Sequence, residues 1–537
     1  MPEAEAAFDY IVLGAGSAGC VLANRLSARA DLQVLLLEAG PKDRNPWIHI
    51  PIGYYRTMED PRINWGYTTE PEIQTGGRRI SWPRGKVMGG CSAINGLVYA
   101  RGQAQDFDHW RQLGNVGWGY DDVLPYFKRA EGATMDAIDE AFHGRSGPLG
   151  VSRASPHPLC DAYIEAATQA GIPRNPDYNG RTQEGAGYFQ VTTCDGWRSS
   201  AATAYIRPVR TRPNLTIKTG TLVRRLIIQD RRVTGVEVEQ EGNRRIVHAR
   251  CGVVLSAGAI GSPQILQLSG IGDSELLKSH GIDPVHHLPE VGENLQDHYT
   301  CSSKYRCSQP VTVNDEVANW MGKMRVALRW LKDRGGPMSL SAGQVGVFAR
   351  TRPDIATPDV QFHFLRYTAQ SRGRKLDPFP GFTVTMCQLR PESRGHVRIS
   401  SPDCHDKPLI QPNYLAHAKD CDTMVAGMRL VRKVAAQQAL SHYISEEMSP
   451  GIDVQSDAAL LEFVRQKGST IFHPTSTCRM GADPQAVVSP QLKVNGLEGL
   501  RIADASIMPA LVSANTNAAC IMIGEKAADL LLEDHPR

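Results

Sequence analysis

The stretch "FDYIVLGAGSAGCVLANRLSARADLQVLLLEAG", Phe8–Gly40, decides the fold. The apolar run from Tyr10 to Leu13 has the character of a buried strand, and Val34–Leu37 repeats it. Between them the turn GAGSAG opens a helix-like segment from Ser17 to about Ala28. Strand, turn, helix and strand make a βαβ unit at the head of the sequence. Gly14 permits the tight turn, Gly16 lets a pyrophosphate approach the backbone, and Gly19 allows the helix to pack closely on the strand. At Ser17 and Ala18 the helix N-terminus offers N–H groups and a partial positive charge to phosphates. Glu38, followed by Ala39, ends the second strand where an acid accepts from a ribose hydroxyl and disfavours a 2′-phosphate. FAD and NAD both suit this unit. A P-loop does not, because its lysine is missing.

A length of 537 residues predicts more than one domain. The 50 glycines and 34 prolines imply many turns and close backbone approaches. With 59 basic against 56 acidic residues, nothing points to nucleic acid as a partner. The acidic start MPEAEAAFDY lacks the pattern of a secretory signal, and no apolar stretch of about 18 residues could span a bilayer. The expectation is a cytoplasmic protein, with peripheral contact at the inner membrane left open. Twelve scattered cysteines without a Cys-x-x-Cys fit a reducing compartment, and no metal site is expected.

Farther on, residues 41–100 hold too many turns for regular structure and read as long loops over a surface or a ligand. From Asn214 to Gln240 the pattern alternates, as antiparallel strands do. CGVVLSAGAIGSPQILQLSGIG, Cys251–Gly272, returns to strand, small-residue turn and apolar helix. Residues 300–465 mix strand-like and helical pieces. The last segment adds the short strand GLRIADA and a helix from Thr516 to about Leu532. Rossmann-like pieces at the start, middle and end imply one nucleotide domain interrupted by insertions that build a second. The expected boundaries are 1–155, 216–300 and 466–537 for the first, and 156–215 and 301–465 for the second.

Four separated motifs carry a resemblance. GKVMGGCSAIN (Gly85–Asn95) and GAIGSPQILQLSGIG (Gly258–Gly272) are similar to the two signature segments of the glucose–methanol–choline (GMC) oxidoreductases. HPTSTCRMG (His473–Gly481) and the segment Leu500–Leu531 are similar to that family's C-terminal active-site segments. The similarity runs from about Asp9 to Leu532, nearest the bacterial alcohol, sorbose and choline dehydrogenases. It implies a mixed fold, α/β with α+β: a Rossmann-like FAD-binding domain and an antiparallel-sheet substrate-binding domain. It also implies hydride abstraction from an alcohol carbon, with electrons passing to a quinone, another carrier or oxygen. Added to the first motif, the implied cofactor contacts are Gly85, Met88, Gly89, Gly90, Ser92, Asn95, Val98, Val223, Ala257, Gly258, Asp504, Ala505, Asn515, Thr516 and Asn517. Some family members carry a histidine, bonded covalently to the flavin, where this sequence has Ile94. Noncovalent FAD is therefore expected.

Alcohol oxidation needs a proton acceptor and a group that orients the oxygen. By the resemblance, His473 is the base and Asn515 its partner. Judged alone, His473 reads more readily as a core residue, and Cys478 offers a thiol pair without a third group to orient it. The adjacent His286 and His287 point to opposite faces of a strand, which speaks against a metal site. A primary aliphatic alcohol or polyol is the expected substrate. The alternatives are choline, an oxygen-using alcohol oxidase, and a flavin-containing lyase of the same fold. Choline would call for a carboxylate and aromatic faces, for which Trp65, Tyr67 and Trp118 are candidates.

Overall fold

The computed structural model describes residues 8–136, 138–370 and 375–535; the start of the chain, Met1–Ala7, lies outside them. β1 (Phe8–Leu13), α1 (Ser17–Leu26) and β2 (Val34–Glu38) follow the sequence pattern. β1 and β2 pair in parallel, Tyr10 opposite Val34 and Leu13 opposite Leu37. Ile11, Val12 and Leu13 are wholly buried, as strands covered on both faces must be. A Cβ on Gly19 would lie 1.9 Å from the Gly14 carbonyl oxygen, so only glycine lets α1 lean on the turn.

The first sheet runs Leu215–Thr219, β2, β1, Asn243–Leu255, Arg232–Gln240, Thr221–Gln229, and Leu500–Ile502 pairs with Asn243–Leu255. Asn243–Leu255 serves two patterns. Its first part pairs antiparallel with Arg232–Gln240, and its last part runs parallel to β1 and Leu500–Ile502. The alternation from Asn214 predicts antiparallel strands. That holds from Thr221 onward, whereas Leu215–Thr219 lies parallel to β2, because Gly220, at φ +66, turns the chain between the two. Ala201, Tyr205 and Val209 pack into the core of this sheet, although they fall in the stretch the sequence places with the second unit.

The second sheet is antiparallel throughout: Ile444–Ser449, Tyr299–Cys307, Gly381–Gln388, Val360–Leu365, Val345–Ala349 and Gly185–Tyr188, with Ser469–Thr470 beside Tyr299–Cys307. Period-2 alternation divides its faces. Cys301, Tyr305, Phe362, Phe364, Val384 and Met386 pack with residues of helices Pro158–Gln169 and Ala418–Ala435. Thr300, Ser302, Lys304, His363, Thr383 and Thr385 face the other way, into a cavity.

The closing helix Asn517–Glu533 packs on α1 and is held there by one carboxylate. Glu525 has no exposed side-chain surface. Arg25 donates to both its oxygens at 2.7 and 2.8 Å, Arg129 at 2.8 Å and the Tyr205 hydroxyl at 2.8 Å. Removing the Glu525 carboxylate leaves the buried Tyr205 hydroxyl and two part-exposed guanidinium groups without their acceptor, at about 1–3 kcal/mol. Glu525→Ala should lower the denaturation midpoint accordingly, with Glu525→Gln recovering part of the loss. A shift under about 1 kcal/mol would mean that the network contributes no more than an exposed pair.

Candidate active site

A cavity of about 930 Å³ takes its walls from both sheets and from residues 41–100, where short helices such as Tyr54–Thr57 and Cys91–Ile94 interrupt the expected loops. Gly14, Glu38 and Asp504 lie in its wall, as do His473, Lys304 and Thr385 from the other half of the molecule. All of the expected site residues line it except Gly19, Met88, Gly89 and Ser92, which build the wall behind. They sit back because they hold the loops together. Gly89 N donates to Ala15 O at 2.8 Å, Met88 N to Pro41 O at 3.0 Å, and the Ser92 hydroxyl joins Gly89 O to Ala201 N.

At the nucleotide end the backbone is laid open. A Cβ on Gly90 would come 2.7 Å from Gly16 Cα, so the two glycine loops touch backbone to backbone. The nearest atom to a Cβ on Gly16 would be Ser256 O at 4.0 Å, and Gly258, at φ +81, has none within 4 Å. α1 and Asn517–Glu533 both begin at the cavity, and neither has a side-chain cap or an acid in its first turn. Uncapped helix N-termini above a bare glycine backbone are the donor set of a phosphate-bearing dinucleotide.

Two acids frame this end. Glu38 accepts from Ala15 N at 2.9 Å and Gly40 N at 2.8 Å, and burial pushes its carboxyl up to about 7. Asp504 accepts from Gly258 N at 2.8 Å, the Ser262 hydroxyl at 2.6 Å and Ser506 N at 2.8 Å. Asn517 Oδ1 accepts from the Ser17 hydroxyl at 2.7 Å, tying the two helix starts together. The Asn95 side-chain oxygen is held by Arg198 at 2.7 Å and Leu97 N at 3.1 Å, which leaves its amide nitrogen to the cavity it lines. The buried Arg198, which burial lowers to about 9, also grips Ile48 O at 2.7 Å.

His473 Nε2 lies 3.2 Å from Asn515 Nδ2, and His473 Nδ1 lies 3.0 Å from His298 Nδ1. The network assigns the tautomers. His298 Nε2 is 3.2 Å from the Leu389 carbonyl and must donate to it. His298 Nδ1 is then an acceptor, so His473 Nδ1 carries the hydrogen and His473 Nε2 keeps its lone pair on the cavity side. Asn515 Oδ1 accepts from Gln361 Nε2 at 3.2 Å, which turns the Asn515 amide nitrogen toward His473. Burial first, then His298, His363 and Arg84, holds His473 well below the ordinary histidine value, and burial lowers His298 to about 3.

Asp297, His298 and His363 were not singled out in the sequence. Asp297 accepts from His473 N at 2.7 Å, from the Thr470 hydroxyl at 2.6 Å and from the Tyr414 hydroxyl, and burial pushes it up to about 6. The run Gln296–Asp297–His298, three polar residues ahead of a strand, was the available signal. His363 lines the cavity. Its buried ring approaches the Ala342 backbone but has no hydrogen-bond partner on either nitrogen, and burial lowers it to about 4.

Of the three expected aromatic candidates, Trp65 and Tyr67 stack 5.9 Å apart in the cavity wall. Trp118 does not belong there. It is wholly buried beside Trp110, and its indole N–H donates to Pro490 O at 2.9 Å, a partner the core has to supply. Cys478 is fully buried and packs in the first core. His286 binds Asn495 O, while His287 is exposed beside Ser274. Among the described residues, the one group with metal-ligand spacing is Asp403–Cys404–His405. Asp403 there caps the His405 N–H at 3.0 Å and the His405 ring meets Glu239, so the turn accounts for it. No helix among the described residues is long and apolar enough to cross a membrane.

Comparison with known proteins identifies the arrangement. The GMC oxidoreductase family models match residues 8–300 and 391–524. The human mitochondrial choline dehydrogenase is 43% identical over 539 residues, covering 98% of this chain and 90% of its own. An oxygen-dependent choline dehydrogenase of Vibrio vulnificus is 41% identical over 534 residues, covering 98% and 95%. Among solved structures, pyridoxine 4-oxidase from Mesorbium loti superposes with a TM-score of 0.90 at 31% identity over 99% of this chain and 100% of its own. Aspergillus oryzae formate oxidase, studied for its FAD modification, gives 0.91 at 26% identity over 99% of each. With the glycine cradle, the two uncapped helices and the family models in agreement, the chain belongs to the GMC oxidoreductases and is an FAD-binding flavoprotein.

Proposed function

We propose that this protein oxidises a neutral primary alcohol or polyol to the aldehyde or ketone, with His473 as the base and Asn515 orienting the hydroxyl. The observation that carries this reading is the one-way hydrogen-bond chain Leu389 O, His298, His473, which leaves the His473 Nε2 lone pair beside an amide donor. Asn515 Nδ2 donates to the alcohol oxygen while His473 Nε2 takes its proton. His298, its own Nε2 hydrogen committed to Leu389, accepts the His473 Nδ1 hydrogen and keeps the ring aimed. The Gly14–Gly19 turn, Gly90, Gly258 and the start of Asn517–Glu533 would hold FAD, which when bound would supply the two-electron acceptor for the carbon-bound hydrogen. The final acceptor in this reading is a quinone or another carrier.

The wall around the reacting end supports an uncharged substrate. Ser302 and Thr385 bond to each other at 2.9 Å, Thr300 and Thr383 donate to the carbonyls of Met386 and Tyr367, and every hydroxyl keeps lone pairs for a ligand. Lys304 stands in the same face, and Lys86 Nζ already sits 4.5 Å from the centre of the Trp65 ring. Of the carboxylates in the wall, Glu38 and Asp504 are committed to backbone N–H groups at the nucleotide end, while Asp377 and Asp406 stand elsewhere in it. Choline, the substrate named for the relatives, is the second reading, supported by their identity of about 40% over the full chain.

Four outcomes follow. Gly90→Ala sets a Cβ 2.7 Å from Gly16 Cα at φ +51 and should yield protein without flavin absorbance; full FAD content would show that the cradle tolerates a side chain. His473→Ala should retain FAD but reduce it with alcohol about 10²–10⁴-fold more slowly under anaerobic conditions, the usual contribution of a positioned base. In the wild type the base must be neutral and its proton affinity is depressed, so the acid limb of kcat/KM should fall below pH 6.5; a limb above 6.5 removes His473 from the role. Anaerobic titration with primary alcohols, polyols and choline should bleach the flavin with the uncharged compounds. Bleaching by choline alone would establish the second reading, and peroxide formed in step with turnover would make the enzyme an oxidase.

A further inference from the structure

The helix Trp320–Asp333, WMGKMRVALRWLKD, is built upside down for a globular protein. Only Val326 and Trp330 are buried, and they dock it on the body, where Trp330 meets Trp197 edge-on at 4.7 Å. Its apolar side faces outward: Trp320 is 67% exposed, Met321 57%, Met324 48%, Leu328 59% and Leu331 62%. At 3.6 residues per turn these five fall within an arc of roughly 100–120°. Cations border the arc on both edges, Lys323 on one and Arg325, Arg329 and Lys332 on the other, and Asp333 is the only acid in the helix. Among the described residues none of those four is in an ion pair.

We infer that this helix docks the protein on an anionic lipid bilayer, lying in the interface plane. An apolar stripe ending in tryptophan and edged by lysine and arginine matches both parts of such a surface: acyl chains take the stripe and anionic headgroups take the cations. A second copy of the chain fits poorly, because face-to-face packing would set four cations against four. Nucleic acid would leave the stripe in water. The helix leads through Pro337–Ser339 to Ala342, which lines the cavity and donates to Gly96 O at 2.9 Å. Docking would therefore bring a cavity wall near the bilayer, where a lipid-soluble electron acceptor resides.

The test uses the FAD-loaded full chain with phosphatidylglycerol vesicles and with phosphatidylcholine vesicles. Wild type should co-sediment with the anionic vesicles, lose binding in high salt, and show a blue shift of tryptophan emission that Trp320→Phe diminishes. Met324→Glu/Leu328→Glu should weaken vesicle binding by about tenfold or more, with the anaerobic flavin-reduction rate unchanged because neither residue lines the cavity. Arg325→Glu/Arg329→Glu should abolish the preference for phosphatidylglycerol. Wild type that stays in solution with anionic vesicles, or a Met324/Leu328 double variant that binds as wild type does, overturns the inference. So does a wild-type dimer, silent toward vesicles, that the same double variant splits into monomers.

Discussion

In the proposed reaction His473 must be neutral when the alcohol arrives, and burial favours that neutral form. Three imidazoles, His298, His363 and His473, are buried in one neighbourhood and all are pushed below their ordinary value. Charging any of them would place an uncompensated cation in a desolvated site. With both rings neutral, the His298–His473 contact can be satisfied in one direction only, because Leu389 offers nothing but an acceptor. Asp297 sits close by without upsetting this balance. Its oxygens are occupied by the His473 backbone N–H, Thr470 and Tyr414, so it fixes the position of the loop rather than the charge of the ring.

That arrangement depends on a strand. Gln296, Asp297 and His298 are consecutive, yet each is bound to a different part of the site. Gln296 pairs with Thr475 and accepts from Leu511 N at 3.1 Å, Asp297 holds Thr470 and His473, and His298 meets the His473 ring and Leu389. The next residue begins Tyr299–Cys307, which lies between two strands of the second sheet and also pairs with Ser469–Thr470. Register in that sheet is therefore register in the active site. A slip of one residue would turn Thr300, Ser302 and Lys304 toward the helices and bring Cys301 and Tyr305 into the cavity. The hydrophobic core beneath the sheet, filled by Phe362, Phe364 and Met386, opposes that slip.

The sequence disclosed what local spacing encodes. The βαβ unit at Phe8–Glu38, the glycines of GGCSAIN and the closing helix could all be read because their chemistry lies within a few residues. The roles expected for His473 and Asn515 came from a resemblance, not from their neighbours. What escaped depends on contacts far apart in the chain. His298 has meaning only beside a residue 175 positions away, and Glu525 only beside Arg25, 500 positions away. Trp118 misled because an aromatic residue looks the same in a core and in a binding pocket until its N–H partner is known. The helix Trp320–Asp333 has the ordinary period of a core helix, and only the fold shows that its apolar side is the one turned outward.

In the proposed function, substrate selection rests on which groups remain uncommitted once the fold has used the others. Trp65 and Tyr67 resemble half of a cation cage, but the Trp65 ring already has Lys86 over it. Glu38 and Asp504 are carboxylates in the wall, but their oxygens serve the Ala15, Gly40, Gly258 and Ser506 backbone. Around His473 and Asn515, which already hydrogen-bond each other, the wall offers the two unpartnered nitrogens of His363 and the spare lone pairs of Thr300, Ser302, Thr383 and Thr385, with Lys304 and Asp377 in the same wall. Those groups reward hydrogen bonds from a ligand. A quaternary ammonium has no hydrogen to donate and would have to enter beside Lys304. A second hydroxyl, in contrast, can pair with groups that would otherwise stay buried and unsatisfied, which costs about 1–3 kcal/mol for each one left bare.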